Sequence, residues 1–344
     1  MQRLILKLEA GEALGDDDIR EATAFLLEAA EADDVKGRFL EALSRKGETP
    51  GEIAGFVSTF LGYSVDPEVD RMDLAGPTID VCGTGGDKLD LFNVSTTAMF
   101  IVAAAGAVVV KHGNRGITSK SGGADVLEAL GVRIGLPMER FRECLAEAGV
   151  GFLFAPMMHP AFKEVIGVRK MLAQRGVRTI FNLIGPLLNP ARPKCQLVGV
   201  FAEELVPAFA EILARLGRES AWVVHGTTAD GRSVDEVSLM GETRIRVAGA
   251  EQEMVVEPEH FGMARVDPRV LAGGGAQENA AILVAVLSGA ERGAKRDMVL
   301  LNAGAAIACA GLAADIQGGV GIAREMIDGG AALDRLRRLQ RLAR

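Results

Sequence analysis

The sequence predicts an α/β fold in which a small all-helical domain precedes a larger α/β domain with a mostly parallel central sheet. Three observations lead there. The first ~65 residues place apolar side chains at helical spacing and contain no strand-like run. Beyond a polar connector at 67–77, strand-like runs at 78–81, 107–110, 150–154, 195–201 and 221–225 alternate with helical patterns at 125–131, 138–148 and 205–216. The first of those runs ends in Gly83-Thr84-Gly85-Gly86-Asp87 and is soon followed by a small-residue helix pattern at 96–105. Strand, glycine turn and helix start, in that order, form an anion site.

Each element has a local cause. Asp16-Asp17-Asp18 offers an N-cap and an acidic first turn, and Ile19, Ala22, Leu26 and Ala30 recur behind it at helical spacing. A second helix carries Val35, Phe39, Leu40 and Leu43. Lys46-Gly47-Glu48-Thr49-Pro50 stops it and caps a third, with Ile53, Phe56, Val57 and Phe60 facing inward. A basic helix and turn at 163–182 interrupts the later alternation. Residues 237–256 read as short strands and turns, with Thr243-Arg244-Ile245-Arg246-Val247 alternating, and the chain from Glu278 is helical and alanine-rich. The expected division is 1–70 as the helical domain, with a return segment near 163–190, and 71–162 plus 191–344 as the α/β domain.

Composition narrows the function classes. Across 344 residues, 49% are hydrophobic and 24% charged, as in an ordinary globular protein. The net charge of −8 argues against generic binding to nucleic acid or anionic membrane, and one Trp and one Tyr give no base-stacking platform. Phosphates must therefore be met by local Lys and Arg, by metal ions and by backbone donors. Cys82, Cys144, Cys195 and Cys309 are far apart and read as reduced, buried thiols. The opening residues turn acidic too soon for a signal peptide, and no uncharged apolar run reaches the ~18 residues of a membrane span. A cytoplasmic protein is expected.

The glycines of 83–87 permit positive φ and bring backbone N–H groups close to a ligand, and Asn93-Val94-Ser95-Thr96 supplies donors at a helix N-terminus. No Gly-Lys-Ser/Thr follows, and the Gly-x-Gly-x-x-Gly spacing is absent, so this is neither a Walker A loop nor a dinucleotide site. Lys111-His112-Gly113-Asn114-Arg115 sits at the end of the valine run, where α/β sheets bind ligands. The bland alternative there is a solvated basic turn. Thr118-Ser119-Lys120-Ser121-Gly122-Gly123 is a second hydroxyl- and glycine-rich loop opening a helix, suited to phosphate or to simple capping. Asp235-Glu236 suits a hard cation such as Mg²⁺, against the alternative of an exposed acidic loop. Arg169, Arg175 and Arg178 can bind a carboxylate bidentately or serve as a salt-bridged helix face. His225 lacks zinc-ligand spacing and reads as structural. Nothing resembles a Ser-His-Asp triad or a Cys-His pair.

Together these motifs resemble the anthranilate phosphoribosyltransferase family over nearly the whole chain. Lys46–Thr49 is similar to its KGET, Gly83–Asp87 to GTGGD, and Asn93–Thr96 to N[IV]ST. Lys111–Arg115 matches KHGNR, Ser119–Gly122 with Ala124–Glu128 matches SKSGxADvLE, and Arg178–Asn182 through Pro190 matches RTiFNllGPLxNP. Asp235-Glu236 matches its metal-binding DE.

The resemblance implies a helical domain hinged to the α/β domain, a homodimer, and Mg²⁺ as cofactor. It also implies the reaction: transfer of the 5-phosphoribosyl group from 5-phosphoribosyl 1-diphosphate (PRPP) to anthranilate in tryptophan biosynthesis. By resemblance, Gly83, Gly86, Asp87, Asn93, Val94, Ser95, Thr96, Lys111, His112, Gly113, Asn114, Arg115, Thr118 and Ser119 hold PRPP. Gly83, Asn114 and Arg169 bind anthranilate, and Ser95, Asp235 and Glu236 ligate the metal. No covalent nucleophile is implied. Three positions depart from the family: Leu91 stands where Thr is common, Gly123 where Ser is common, and Ala173-Gln174-Arg175 reads as three extra residues beyond Arg169. A nucleoside phosphorylase and a nucleic-acid-binding relative are the alternatives, disfavoured by the Asp-Glu pair and by the acidic charge respectively.

Overall fold

The computed structural model of the protein describes residues 1–87, 89–116 and 120–344. Four helices come first: α1 (Gln2–Glu9), α2 (Asp16–Leu27), α3 (Asp33–Lys46) and α4 (Pro50–Leu61). Gly47, at φ +87°, ends α3. Thr49 then caps α4, its hydroxyl accepting from the Glu52 N–H at 3.2 Å while Glu52 accepts from the Thr49 N–H at 2.9 Å. Glu52 also accepts from Lys46 at 2.7 Å and from the Leu14 N–H at 2.9 Å. Burial of both charges is costly on its own. Here the donors outweigh it, and the Glu52 carboxyl lies below its ordinary pKa despite burial.

The α/β part runs β1 (Thr78–Gly83), α5 (Val94–Ala104), β2 (Val108–Gly113), α6 (Gly123–Ala129), α7 (Met138–Ala148), β3 (Val150–Phe154), α8 (Ala155–Met158) and α9 (Lys163–Gln174). It continues with β4 (Cys195–Gly199), α10 (Leu205–Arg215), β5 (Ser220–Thr227), β6 (Ser233–Val234), β7 (Thr243–Val247) and β8 (Glu253–Val256). Four helices close the chain: α11 (Ala276–Leu287), α12 (Ala294–Cys309), α13 (Ile316–Asp328) and α14 (Ala331–Leu342). The sheet order is β3-β2-β1-β4-β5-β7-β8, with β6 beside β5. The first five strands are parallel, and β6, β7 and β8 pair antiparallel. The mostly parallel sheet expected from the alternation is present.

Strand periodicity sends alternate residues to opposite faces. Ile79, Val81, Val109 and Leu197 join the core under α5 and α11–α14. Val198, Val200, Ala221 and Val223 join a second core with α1–α4, α9 and α10. Val108, Val110 and Leu153 pack with α7. α9 lies on α3, bringing 163–174 back to the N-terminal helices. Among the described residues, no helix is long and apolar enough to cross a membrane.

Two readings shift in detail. β2 extends to Gly113, so Lys111, His112 and Gly113 are strand residues and not a loop. Parallel pairing with Phe152, Leu153 and Phe154 of β3 carries them there, a long-range effect no local pattern shows. Gly15, not Asp16, is the N-cap of α2.

The second face of the sheet also buries polar side chains, Asp80 and Gln196, with Asn189 from the chain between α9 and β4. Burial pushes the Asp80 carboxyl up to about 6, against the attraction of Lys111 and a hydrogen bond from Asn189. Asp80 therefore holds a proton in the folded state that the unfolded chain releases above its ordinary pKa of 3.8. Stability from this group falls as pH rises between those values. Thermal melts of wild type and Asp80→Asn from about pH 4 to about pH 7 should show the wild-type Tm declining relative to the variant. A difference independent of pH would contradict the buried, pH-linked carboxyl.

Candidate active site

The carboxyl ends of β1, β4 and β5 carry glycines at 83, 199 and 226, and these three residues set the geometry of the site. A Cβ on Gly83 would collide with the Asp235 carboxylate, one on Gly199 with the Asp235 backbone, and one on Gly226 with the Glu236 carbonyl. The segment carrying Asp235 and Glu236 thus lies directly on the strand ends, where side chains would keep it away. It is anchored on both sides. Val234 and Ser233 pair with Gly226 and Thr227, and the buried Asn302 side chain bonds both the N–H and the carbonyl of Val237 at 2.9 Å.

The 83–87 turn meets that segment. Gly85 and Gly86 adopt φ +70° and +97°, and the Gly85 N–H donates to Asp235 Oδ2 at 2.6 Å. Asp87 lies within hydrogen-bonding reach of Asp235, and each carboxyl influences the other's ionisation. Burial, then the Asp87 charge, raises Asp235 to about 7. Burial and then the neighbouring Asp235 push Glu236 well above the ordinary carboxylate range. Asp87 is raised as well, chiefly by burial. Three carboxyl groups are gathered where they repel, an arrangement that a cation relieves.

α5 begins beside them. The Ser95 N–H donates to Glu236 at the helix N-terminus, where the dipole favours anions. Lys111, buried, donates to Ser95 Oγ at 3.2 Å and to the Val81 carbonyl. Asn93 links the 121 loop to α11, donating to the Ser121 carbonyl at 3.2 Å and accepting from Asn279 at 2.8 Å. Thr96 is buried below the loop, and a Cβ on Gly123 would lie 3.0 Å from its hydroxyl. Leu91, paired with Ala272 in an isolated bridge, packs against the core. Asn114 Oδ1 accepts from the Arg115 N–H at 2.8 Å. Arg115 is not poised for phosphate here: its guanidinium bridges Asp125 and Glu128 of α6 and overlies Phe154. Thr118 and Ser119 lie outside the described residues.

At the second end of the site, sequence reasoning named Arg169 and His112 but missed the rings between them. A trail of rings leads away from β2: His112 to His159 (centroids 5.2 Å), His159 to Phe162 (5.0 Å) and Phe162 to Phe181 (5.5 Å). Arg169 overlies Phe181 at 5.0 Å. Arg169 has no ion-pair partner among the described residues, and burial lowers its pKa. A half-buried, unpaired guanidinium on an aromatic wall suits a carboxylate on a flat ring. No spacing rule could find these rings together, because they come from three separate segments. Arg175 pairs with Glu41 of α3, and Arg178 overlies Phe201, so Arg169 is the arginine on the trail.

The donor set fits a hard divalent ion. Asp235, Glu236 and the Ser95 hydroxyl are oxygen donors, and burial beside one another raises both carboxyl pKa values, an environment a positive charge would favour. Among the described residues no three His, Cys, Asp or Glu side chains are grouped to hold a metal ion by themselves. That suits an ion which takes its remaining oxygens from phosphate and water. Gly199→Ala, which lifts the 235–236 segment off β4, should abolish turnover with the protein still folded by circular dichroism. Retained turnover would show that close seating of this segment is unnecessary.

A model of the glycosyl transferase family, a/b domain, matches residues 75–333. An anthranilate phosphoribosyltransferase of Anaeromyxobacter dehalogenans is 44% identical, covering 98% of this chain and 97% of its own. The crystal structure of the anthranilate phosphoribosyltransferase from Thermus thermophilus superposes with a TM-score of 0.89 at 39% identity, covering 99% of both chains. That of Saccharomyces cerevisiae in complex with PRPP and Mg does so at 0.84 and 28%, covering 99% of this chain and 97% of its own. Sequence and backbone agree over essentially the full length of these proteins, and the chain belongs to the anthranilate phosphoribosyltransferase family.

Proposed function

We propose that this protein transfers the 5-phosphoribosyl group of PRPP to the amine of anthranilate, giving N-(5-phosphoribosyl)anthranilate and diphosphate, in tryptophan biosynthesis. The observation that carries this reading is the Asp235–Glu236 pair seated on three strand-end glycines beside the 83–87 turn. Family membership supplies the substrates: relatives carry this activity by name, and the yeast enzyme binds PRPP and Mg.

Donor binding falls to Gly83, Gly86, Asp87, Asn93, Val94, Ser95, Thr96, Lys111, His112, Gly113 and Asn114, with Thr118 and Ser119. Arg115 joins them if substrate draws it from Asp125 and Glu128. Ser95, Asp235 and Glu236 would hold Mg²⁺, which supplies positive charge to the departing diphosphate. Backbone N–H groups of the turn and of the α5 N-terminus add fixed dipoles on the same side. Arg169 takes the anthranilate carboxylate and the ring trail its aromatic face, while Gly83 and Asn114 stand where the acceptor amine meets C1. The C1–O bond to diphosphate breaks as the amine lone pair forms the C1–N bond. The nitrogen then releases its proton to solvent. An aniline-type amine attacks in its neutral form, so no strong base or covalent nucleophile is required. Holding both reactants in line lowers the entropic barrier.

The same reading places the protein in the cytoplasm, where its four free, buried cysteines stay reduced. It makes the protein a homodimer through the face of α1 and α9, which exposes Leu6, Ile166 and Met171. It treats residues 1–70 as the hinged lobe that closes over the substrates.

Anthranilate fluorescence should decay only when PRPP and Mg²⁺ are both present. The Asp235→Ala/Glu236→Ala double variant should fold and show no decay. Decay without Mg²⁺, or wild-type turnover in the double variant, would remove the metal-site assignment.

A further inference from the structure

The segment 185–189, between α9 and β4, is held almost residue by residue by buried polar side chains. His112 is hydrogen-bonded to the backbone of Gly185. Gln196 Nε2 donates to the Pro186 carbonyl at 2.7 Å, and His159 Nε2 meets the Leu188 carbonyl at 2.9 Å. Asn189 Nδ2 donates to Asp80 Oδ2 at 2.9 Å and to the Val110 carbonyl at 2.7 Å, while its Oδ1 accepts from the Ala191 N–H at 3.0 Å. Asn189, Asp80 and Gln196 are wholly inaccessible to solvent.

These contacts decide more than the path of the backbone. A carbonyl can only accept, so His159 carries its proton on Nε2 and presents a bare Nδ1, which has no partner among the described residues. For His112 the unpartnered atom is Nε2, so Nδ1 carries the proton toward Gly185. Both rings are thereby fixed in one tautomer and one orientation at the head of the ring trail. The two carbonyls that fix them belong to the segment that Asn189 and Asp80 pin to β1 and β2.

We propose that Asn189 and Asp80 are positioning residues for the acceptor: by pinning 185–189 to the middle of β1 and β2, they set the tautomer and aim of His112 and His159 and so the seat of the aromatic ring. This deepens the function proposed above and rests on it. The side-chain contacts of Asn189 are all to buried protein groups, so it acts on substrate only through the segment it holds. A purely structural role would lower stability and affect both substrates alike. A positioning role falls chiefly on the acceptor, whose ring seat His159 and the ring trail bound, and reaches the donor only through His112.

Steady-state kinetics with varied anthranilate and varied PRPP separate these. In Asn189→Ala, kcat/KM for anthranilate should fall on the order of a hundredfold, the scale of a misplaced reactant, with KM for PRPP within about twofold. Asp80→Asn keeps an oxygen for Asn189 and should stay within about fivefold of wild type in both substrates. If Asn189→Ala does not fold, Gln196→Met, which removes only the Pro186 contact from this set, should shift the anthranilate parameter about tenfold in the same direction. Parallel losses for both substrates, or no loss, would overturn the proposal.

Imidazole ¹⁵N NMR reads the clamp without turnover. His159 should be a fixed Nε2–H tautomer in wild type and should average between tautomers in Asn189→Ala, or in Gln196→Met if the first does not fold. An unchanged tautomer would overturn the clamp. A wild-type protein with the expected tautomers and no anthranilate turnover would instead contradict the functional reading.

Discussion

The close seating of two acidic residues on the bare ends of three parallel strands is the constraint on which the rest depends. Gly83, Gly199 and Gly226 have no side chain where the 235–236 segment must lie. Backbone contact at that distance brings Asp235 to the Gly85 N–H and Glu236 to the Ser95 N–H. The glycine turn after β1 and the N-terminus of α5 therefore serve the carboxylates, beside the diphosphate role proposed for them. Without a cation the arrangement is electrostatically unfavourable. Its expression is the upward shift of all three carboxyl groups, from burial first and their mutual repulsion second.

The sheet supplies the rigidity this needs. Both faces are covered, one by α5 and α11–α14 and the other by helices that include the N-terminal four. The second face is also where charge is buried. Lys111 lies close enough to attract both Asp80 and Glu236, and it donates to Ser95. One cation thus ties the buried sheet interior to the proposed metal ligands. The donor and acceptor ends share β2 as a common edge, since Lys111 looks toward Ser95 while His112, one residue on and on the opposite side of the strand, looks toward His159.

Features encoded in consecutive residues were legible in the sequence. The turn 83–87, the start of α5, the Thr49 cap and the bounds of β3 and α7 follow from glycine, hydroxyl and apolar spacing within a few positions. What depended on distant partners was not. β2 gains three residues from β3. Arg115, read as a phosphate ligand, spends its charge on Asp125 and Glu128, because α6 happens to present them. Gly199 and Gly226 look like ordinary strand-end glycines until the 235–236 segment is laid on them. His159 and Phe162 carry no motif of their own, Phe181 has only its place in the 178–182 match, and only folding brings them into line with His112 and Arg169. The buried Asp80–Asn189 contact joins positions 109 apart in sequence, and no local pattern pairs them.

The most direct test of the central claim is the binding of Mn²⁺, as a paramagnetic substitute for Mg²⁺, to the protein followed by electron paramagnetic resonance with and without PRPP. If the carboxylates on the strand ends form an incomplete cage, Mn²⁺ binds weakly to the protein alone and tightly once PRPP is present, and Gly199→Ala loses the tight mode. Tight, stoichiometric Mn²⁺ binding without PRPP, or binding that PRPP leaves unchanged, would contradict the account.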